Sequence, residues 1–177
     1  KFVNKFEGDL KNHFKSKFAL SVSSGGIALE LAIIALGLKG KEIIVPTQTF
    51  IASPNAIVKA GAKPIFCDID INTGCLDPKK IIKKINKKTG AIMFVHMFGI
   101  MTDDILKIKS FCNKKKIYLI EDASHAHGAK LNGLYAGNIG DIGCFSLYAT
   151  KIMTTGEGGL IFIFFIYNTK VINIINH

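Results

Sequence analysis

The chain has 177 residues, 49% hydrophobic and 20% charged, which fits one packed domain and excludes a disordered chain. The formal charge is +10, but all 23 basic residues are Lys. Without Arg, whose planar fork makes two-point contacts to phosphate and guanine, this charge reads as solvated lysine faces and a Lys/Ile/Asn bias rather than a nucleic-acid surface.

Taken in order, Asn4 to Lys15 carries Phe6, Leu10 and Phe14 at helical spacing, which predicts an amphipathic helix. Phe18 to Val22 reads as a strand. Ser24 is the expected N-cap of a mostly apolar helix from Ile27 to Leu36, closed by Gly37. An all-apolar helix is expected to be buried. Glu42 to Val45 is the next strand, stopped by Pro46. Phe50 to Ala60 is a helix ending at Gly61, and Lys63 to Cys67 is a strand. Asp77-Pro78 opens a helix with a cap and a first-turn proline. Ala91 to Val95 is a strand, Thr102 to about Lys114 a helix, and Ile117 to Ile120 a strand. The apolar run from Leu160 to Tyr167 is too short to cross a bilayer and reads as a buried strand.

Short apolar runs thus alternate with helices about five times. This predicts an α/β fold with a mainly parallel sheet covered on both faces. Ligands of such sheets bind beyond the carboxyl ends of the strands. Ser24 to Gly26, Phe50, His96 and Asp122 all stand at or just after such ends. The four cysteines lack CxxC spacing, which argues against a zinc site or a disulfide framework and fits a reducing cytosol. The N-terminus has no secretory leader pattern. The first residue is Lys rather than Met, so the sequence is expected to begin inside a longer protein.

Three pieces carry the main candidate chemistry, the start of the apolar helix, Asp122 and Lys151, with His125 and Ser146 beside them. Ser24-Gly25-Gly26 before a helix fits either an anion cradle, where first-turn amides lack partners, or a capped tight turn. Asp122 after a strand fits either a cap or a carboxylate that holds a proton on a cofactor ring. His125 and His127 are two residues apart with no third ligand in view, so metal binding is not expected; His125, three residues after Asp122, fits a position facing the same ligand. Lys151 lies in a Ser/Thr/Gly-rich loop 29 residues after Asp122. A lysine there is either solvated or, with its basicity lowered, able to form a Schiff base. Ser146 offers a hydroxyl to a phosphate.

A phosphate cradle, an aspartate after a strand and a Schiff-base lysine, in that order, are the parts of a pyridoxal phosphate site. The stretches SSGGIALELAIIALGLKGKEIIVPTQTF, GAKPIFCDID, VHMFG, EDASHAHGA and FSLYATKIMTTGEGG resemble the DegT/DnrJ/EryC1/StrS sugar aminotransferases, of the fold type I aspartate aminotransferase superfamily. The resemblance implies a three-layer α/β/α large domain around a mainly parallel sheet. It implies that Lys151 would bind pyridoxal 5'-phosphate as a Schiff base and shuttle a proton. Asp122 would pair with the ring N–H, Phe50 would stack on the ring and His125 would lie against it. Ser146 and the main chain of Gly26 and Ile27 would hold the phosphate.

The implied reaction moves an amino group from glutamate to a keto group of a nucleotide-sugar, in a cytoplasmic homodimer serving polysaccharide or antibiotic-sugar synthesis, with no nucleic acid or membrane as partner. The sequence departs from the family where Gly26 replaces the usual Thr and after about Ile161. Residues 1–177 would therefore be a partial cofactor-binding domain, with the C-terminal small domain absent. A dehydratase branch carries His in place of the lysine, which Lys151 disfavours. The competing reading is a truncated, non-catalytic relic that acts at most as a cofactor-binding or interaction module.

Overall fold

The alternation of strands and helices is realised as one seven-stranded sheet with helices on both faces. A computed structural model describes residues 1–164; the end of the expected last strand, Phe165 to Tyr167, and most of the stretch expected to diverge lie outside the described residues. The helices are α1 (Phe2–Phe14), α2 (Gly25–Ala35), α3 (Ala52–Lys59), α4 (Pro78–Lys84) and α5 (Asp104–Lys115). The strands are β1 (Phe18–Val22), β2 (Glu42–Pro46), β3 (Lys63–Cys67), β4 (Thr89–Val95), β5 (Tyr118–Asp122), β6 (Lys130–Leu131), β7 (Leu134–Tyr135), β8 (Ile142–Ser146) and β9 (Gly159–Ile163). The sheet order is β1-β9-β8-β5-β4-β2-β3, and β6 and β7 form a separate hairpin. In the seven-stranded sheet, among the described residues, β2, β3, β4, β5 and β8 pair in parallel and only β9 runs antiparallel to its neighbours β1 and β8.

Period-two burial divides the strands between two layers. Ile43, Val45, Ala91, Met93 and Ile120 face α2 and α3. Ile44, Ile92, Phe94 and Leu119 face α4 and α5 through Ile81, Ile105, Ile108 and Cys112. Phe14 of α1 completes a third cluster with Phe145, Leu160 and Phe162. α2 is buried along most of its length, as its composition predicts, although Ile34 stays exposed. Ser24 and Asp77 cap α2 and α4 through their side chains, and Gly37 and Gly61 adopt positive φ just beyond α2 and α3. Among the described residues no helix is long and apolar enough to span a membrane.

Two features escaped the sequence reading. The hairpin β6–β7 turns on Asn132-Gly133, both at positive φ, which is a hairpin signal legible in the dipeptide itself. β8 contains Gly143, a residue that weakens strand propensity. Its small size is required, because a Cβ there would run into the Gly137 backbone.

The centre of the sheet is pinned by Glu121, which is fully buried on β5. Its Oε2 accepts from Gly137 N–H at 2.8 Å and faces His96 Nε2 at 2.8 Å. Its Oε1 accepts from Ile139 N–H at 2.7 Å and from Gly140 N–H. One carboxylate thus fixes β4, β5 and the approach to β8. Removing it leaves several buried donors unpaired, each costly in an apolar interior. Glu121→Ala is expected to lower stability by roughly 3–5 kcal/mol, as when one side of a buried pair is removed, read as a shifted urea midpoint.

Candidate active site

Parallel strands release the chain at the same edge of the sheet, so residues far apart in sequence converge there. Ser24-Gly25-Gly26 follows β1, Thr49 and Phe50 follow β2, and His96 follows β4. Asp122 is the last residue of β5 and Ser146 the last of β8. These residues, with Ser124, His125, Tyr148, Thr150 and Lys151, line one cavity of about 530 Å³. Of the residues that the sequence singles out, Gly26, Phe50, Asp122, His125, Ser146 and Lys151 meet in it. Ile27 does not: it lines the adjoining hollow above α3. Its amide donates to Ser24 Oγ at 3.2 Å.

The start of α2 keeps the character of an anion site. Ser24 satisfies the Ile27 amide, while the Gly25 and Gly26 amides have no acceptor among the described residues, as expected of a first helical turn. Gly25 is small by necessity: a Cβ there would stand 2.7 Å from that of Ser146. This close approach sets the Ser146 hydroxyl beside the helix N-terminus. At Gly26 a Cβ would meet nothing nearer than 3.8 Å, so the site has room for a larger residue.

Asp122 is 6% exposed. Its Oδ1 accepts from the Ser124 amide at 3.1 Å and its Oδ2 from the Ser53 hydroxyl at 2.8 Å. Each oxygen keeps lone-pair capacity for a donor in the cavity. His96 also borders the cavity, but its ring serves the scaffold: it is completely buried, with Nε2 on Glu121 and Nδ1 3.4 Å from the Ile100 carbonyl. His127 lies outside the cavity, its ring 5.3 Å from that of Phe145 and tilted against it. No group of three His, Cys, Asp or Glu among the described residues is arranged to hold a metal.

Lys151 is held in the turn after β8 by its amide, which donates to the Tyr148 carbonyl at 2.9 Å. Burial depresses its basicity below the ordinary lysine value, against an opposing pull from Asp122. Burial likewise lowers His125, helped by the Lys151 charge and opposed by Asp122. The cavity therefore holds an amine that loses its proton more easily than a free lysine, a carboxylate, and a pair of free helix-terminal amides. Phe50 stands 68% exposed at the mouth.

The DegT/DnrJ/EryC1/StrS aminotransferase family model matches residues 1–164, so the chain belongs to that family. GDP-perosamine synthase of Vibrio cholerae is 41% identical over 162 residues, covering 91% of this chain and 44% of its own length. The crystal structure of 3-amino-5-hydroxybenzoic acid synthase superposes with a TM-score of 0.91 at 36% identity, covering 97% of this chain and 45% of that one. An E. coli GDP-4-keto-6-deoxy-D-mannose-3-dehydratase with bound hydrated PLP superposes at 0.86 with 32% identity, covering 92% and 43%. The chain thus spans less than half the length of these relatives.

The lowered basicity of Lys151 has a chemical consequence. Only the neutral amine attacks a carbonyl, so at pH 8 Lys151 is expected to react with an aldehyde reagent faster than the exposed lysines. Its rate should reach half-maximum below pH 10.5, the ordinary lysine value. Peptide mapping of the first modified site checks this; a half-maximum at or above that pH contradicts it.

Proposed function

We propose that residues 1–164 form the cofactor-binding domain of a pyridoxal-phosphate-dependent aminotransferase acting on a keto sugar carried by a nucleotide, with glutamate as amino donor. One observation carries the reading: an amine of lowered basicity shares a cavity with a buried carboxylate and an open helix N-terminus. The residues present fit the cofactor. The Gly25 and Gly26 amides and the Ser146 hydroxyl suit a phosphate, through hydrogen bonding and the helix dipole; Ile27 contributes its amide only when the Ser24 hydroxyl turns away. Asp122 suits a ring N–H, Phe50 a ring face, and Lys151 an aldehyde carbon.

Pyridoxal phosphate supplies an electron-withdrawing ring that stabilises negative charge beside a transferred amino group. The protein's share is positioning and proton handling. Asp122 accepts a proton-bearing nitrogen and favours the charged ring. Lys151 Nζ, poised by burial, takes and returns a proton. His125, also pushed towards its neutral form, flanks the ring without adding charge. Phe50 excludes water from one face.

The family match alone does not separate amination from dehydration, since the E. coli dehydratase shares the fold. Lys151 favours amination, because the dehydratase branch carries His at this position. The exposed apolar side chains at or near the mouth, Phe50 at 68% and Ile152 at 81%, favour a second copy of the chain covering this edge. A cytoplasmic homodimer is the assembly we propose.

Adding pyridoxal phosphate is expected to produce an absorbance band at the visible edge that Lys151→Ala abolishes; an unchanged band in that variant removes Lys151 from its role. Transfer of nitrogen from glutamate to a GDP-linked keto sugar then tests the reaction. Binding without transfer supports the alternative of a cofactor-binding module. Gly26→Thr, for which the backbone has room, is expected to tighten pyridoxal phosphate binding by about 1 kcal/mol through one added hydroxyl, read by absorbance titration.

A further inference from the structure

Ser53 lies on the first turn of α3 and is completely buried. A buried hydroxyl at the sheet edge is costly unless each of its polar capacities is met. It has two polar neighbours: Asp122 Oδ2 at 2.8 Å and Thr49 Oγ1 at 2.8 Å. A hydroxyl has one proton to give. A carboxylate only accepts, so the Ser53 proton goes to Asp122, and Thr49 must then donate to Ser53. The Thr49 hydroxyl also lies 3.3 Å from the Phe50 carbonyl. That longer contact competes for the same single proton and loses to the shorter one. The direction of the chain is therefore fixed: Thr49 O–H to Ser53 O, and Ser53 O–H to Asp122 Oδ2.

Resting on the cofactor reading above, we infer that the Thr49–Ser53 hydroxyl relay is a positioning device for that site, which orients Asp122 and holds its negative charge for a ring N–H in the cavity. Three features support it. Thr49 borders the cavity while Ser53 does not, so the relay joins the cavity wall to the rear of the carboxylate. The Ser124 amide occupies the other oxygen, so both oxygens are held and the carboxyl plane cannot rotate freely. A hydrogen bond donated to a carboxylate stabilises its charged form, and each link polarises the next in a low-dielectric setting. The relay also ties α3, and with it the Phe50 segment, to the end of β5. The two residues that would grip opposite aspects of one ring are thereby set by the same bonds.

The test uses pyridoxal phosphate and its 1-deaza analogue, in which a ring carbon replaces the nitrogen and no hydrogen bond to Asp122 forms. Both are titrated by absorbance into the unaltered chain and into Ser53→Ala, Ser53→Thr and Thr49→Val. Ser53→Ala is expected to weaken pyridoxal phosphate about tenfold, the usual scale for a hydrogen bond to a charged group. It should leave the deaza analogue within about twofold, because that ligand does not use the carboxylate. Ser53→Thr keeps the hydroxyl and should restore most of the loss. Thr49→Val should weaken only the natural cofactor, by a smaller factor. Its side chain reaches the cavity wall, so it carries the test if Ser53→Ala fails to fold. Equal weakening of both ligands would mean that Ser53 merely packs, and no weakening of either would mean that the relay is idle; each result overturns the inference. Failure of the unaltered chain to bind either ligand overturns the cofactor reading instead, and is recognised because it precedes any substitution.

Discussion

A single buried carboxylate, that of Glu121, holds the centre of this molecule together. Four donors converge on it, from the residue that follows β4 and from the segment leading into β8. A carboxyl group in an apolar interior is tolerable only when its oxygens have partners, and here the partners come from two separate pieces of chain. The next residue, Asp122, points to the opposite side of the same strand. Fixing Glu121 therefore fixes Asp122. The adjoining side chains divide the labour, one building the scaffold and one facing the cavity.

The second constraint is closeness of backbones. Gly25 lies against Ser146, Gly143 against Gly137 and Gly159 against Ser24. In each case a side chain as small as a methyl would force the segments apart. These contacts bring the N-terminus of α2 to the end of β8 and let β9 begin beside it. The turn bearing Lys151 is then suspended between β8 and β9, over the edge where Asp122 ends β5. An amine in that position loses solvent without gaining an ion pair within 4 Å among the described residues. Desolvation is for this reason the leading cause of its lowered basicity.

Membership of the aminotransferase family and the geometry of the cavity point the same way. The family match rests on ordered sequence over residues 1–164. The cavity rests on where β1, β2, β4, β5 and β8 put their carboxyl ends. What the relatives do with substrates belongs to chains more than twice as long as the matched stretch. The exposed aromatic and aliphatic side chains around the mouth are consistent with a site completed by further protein surface.

The sequence by itself determined the alternation of strands and helices, because periodicity, caps and glycine stops are local and each is written within about a dozen residues. It also marked Asp122 and Ser146, which end β5 and β8, and Lys151 in the turn beyond, since ligands of a parallel sheet bind at the carboxyl ends of its strands. It did not determine β8, whose glycine is explained only by a neighbour from another segment, nor the antiparallel course of β9. It could not show that His96 serves Glu121 rather than a ligand, or that Ser53 stands behind Asp122. Those outcomes depend on contacts between residues up to 69 positions apart. They exist only once the sheet has chosen its strand order, because hydrogen-bond partners across a sheet edge are set by topology and not by spacing along the chain.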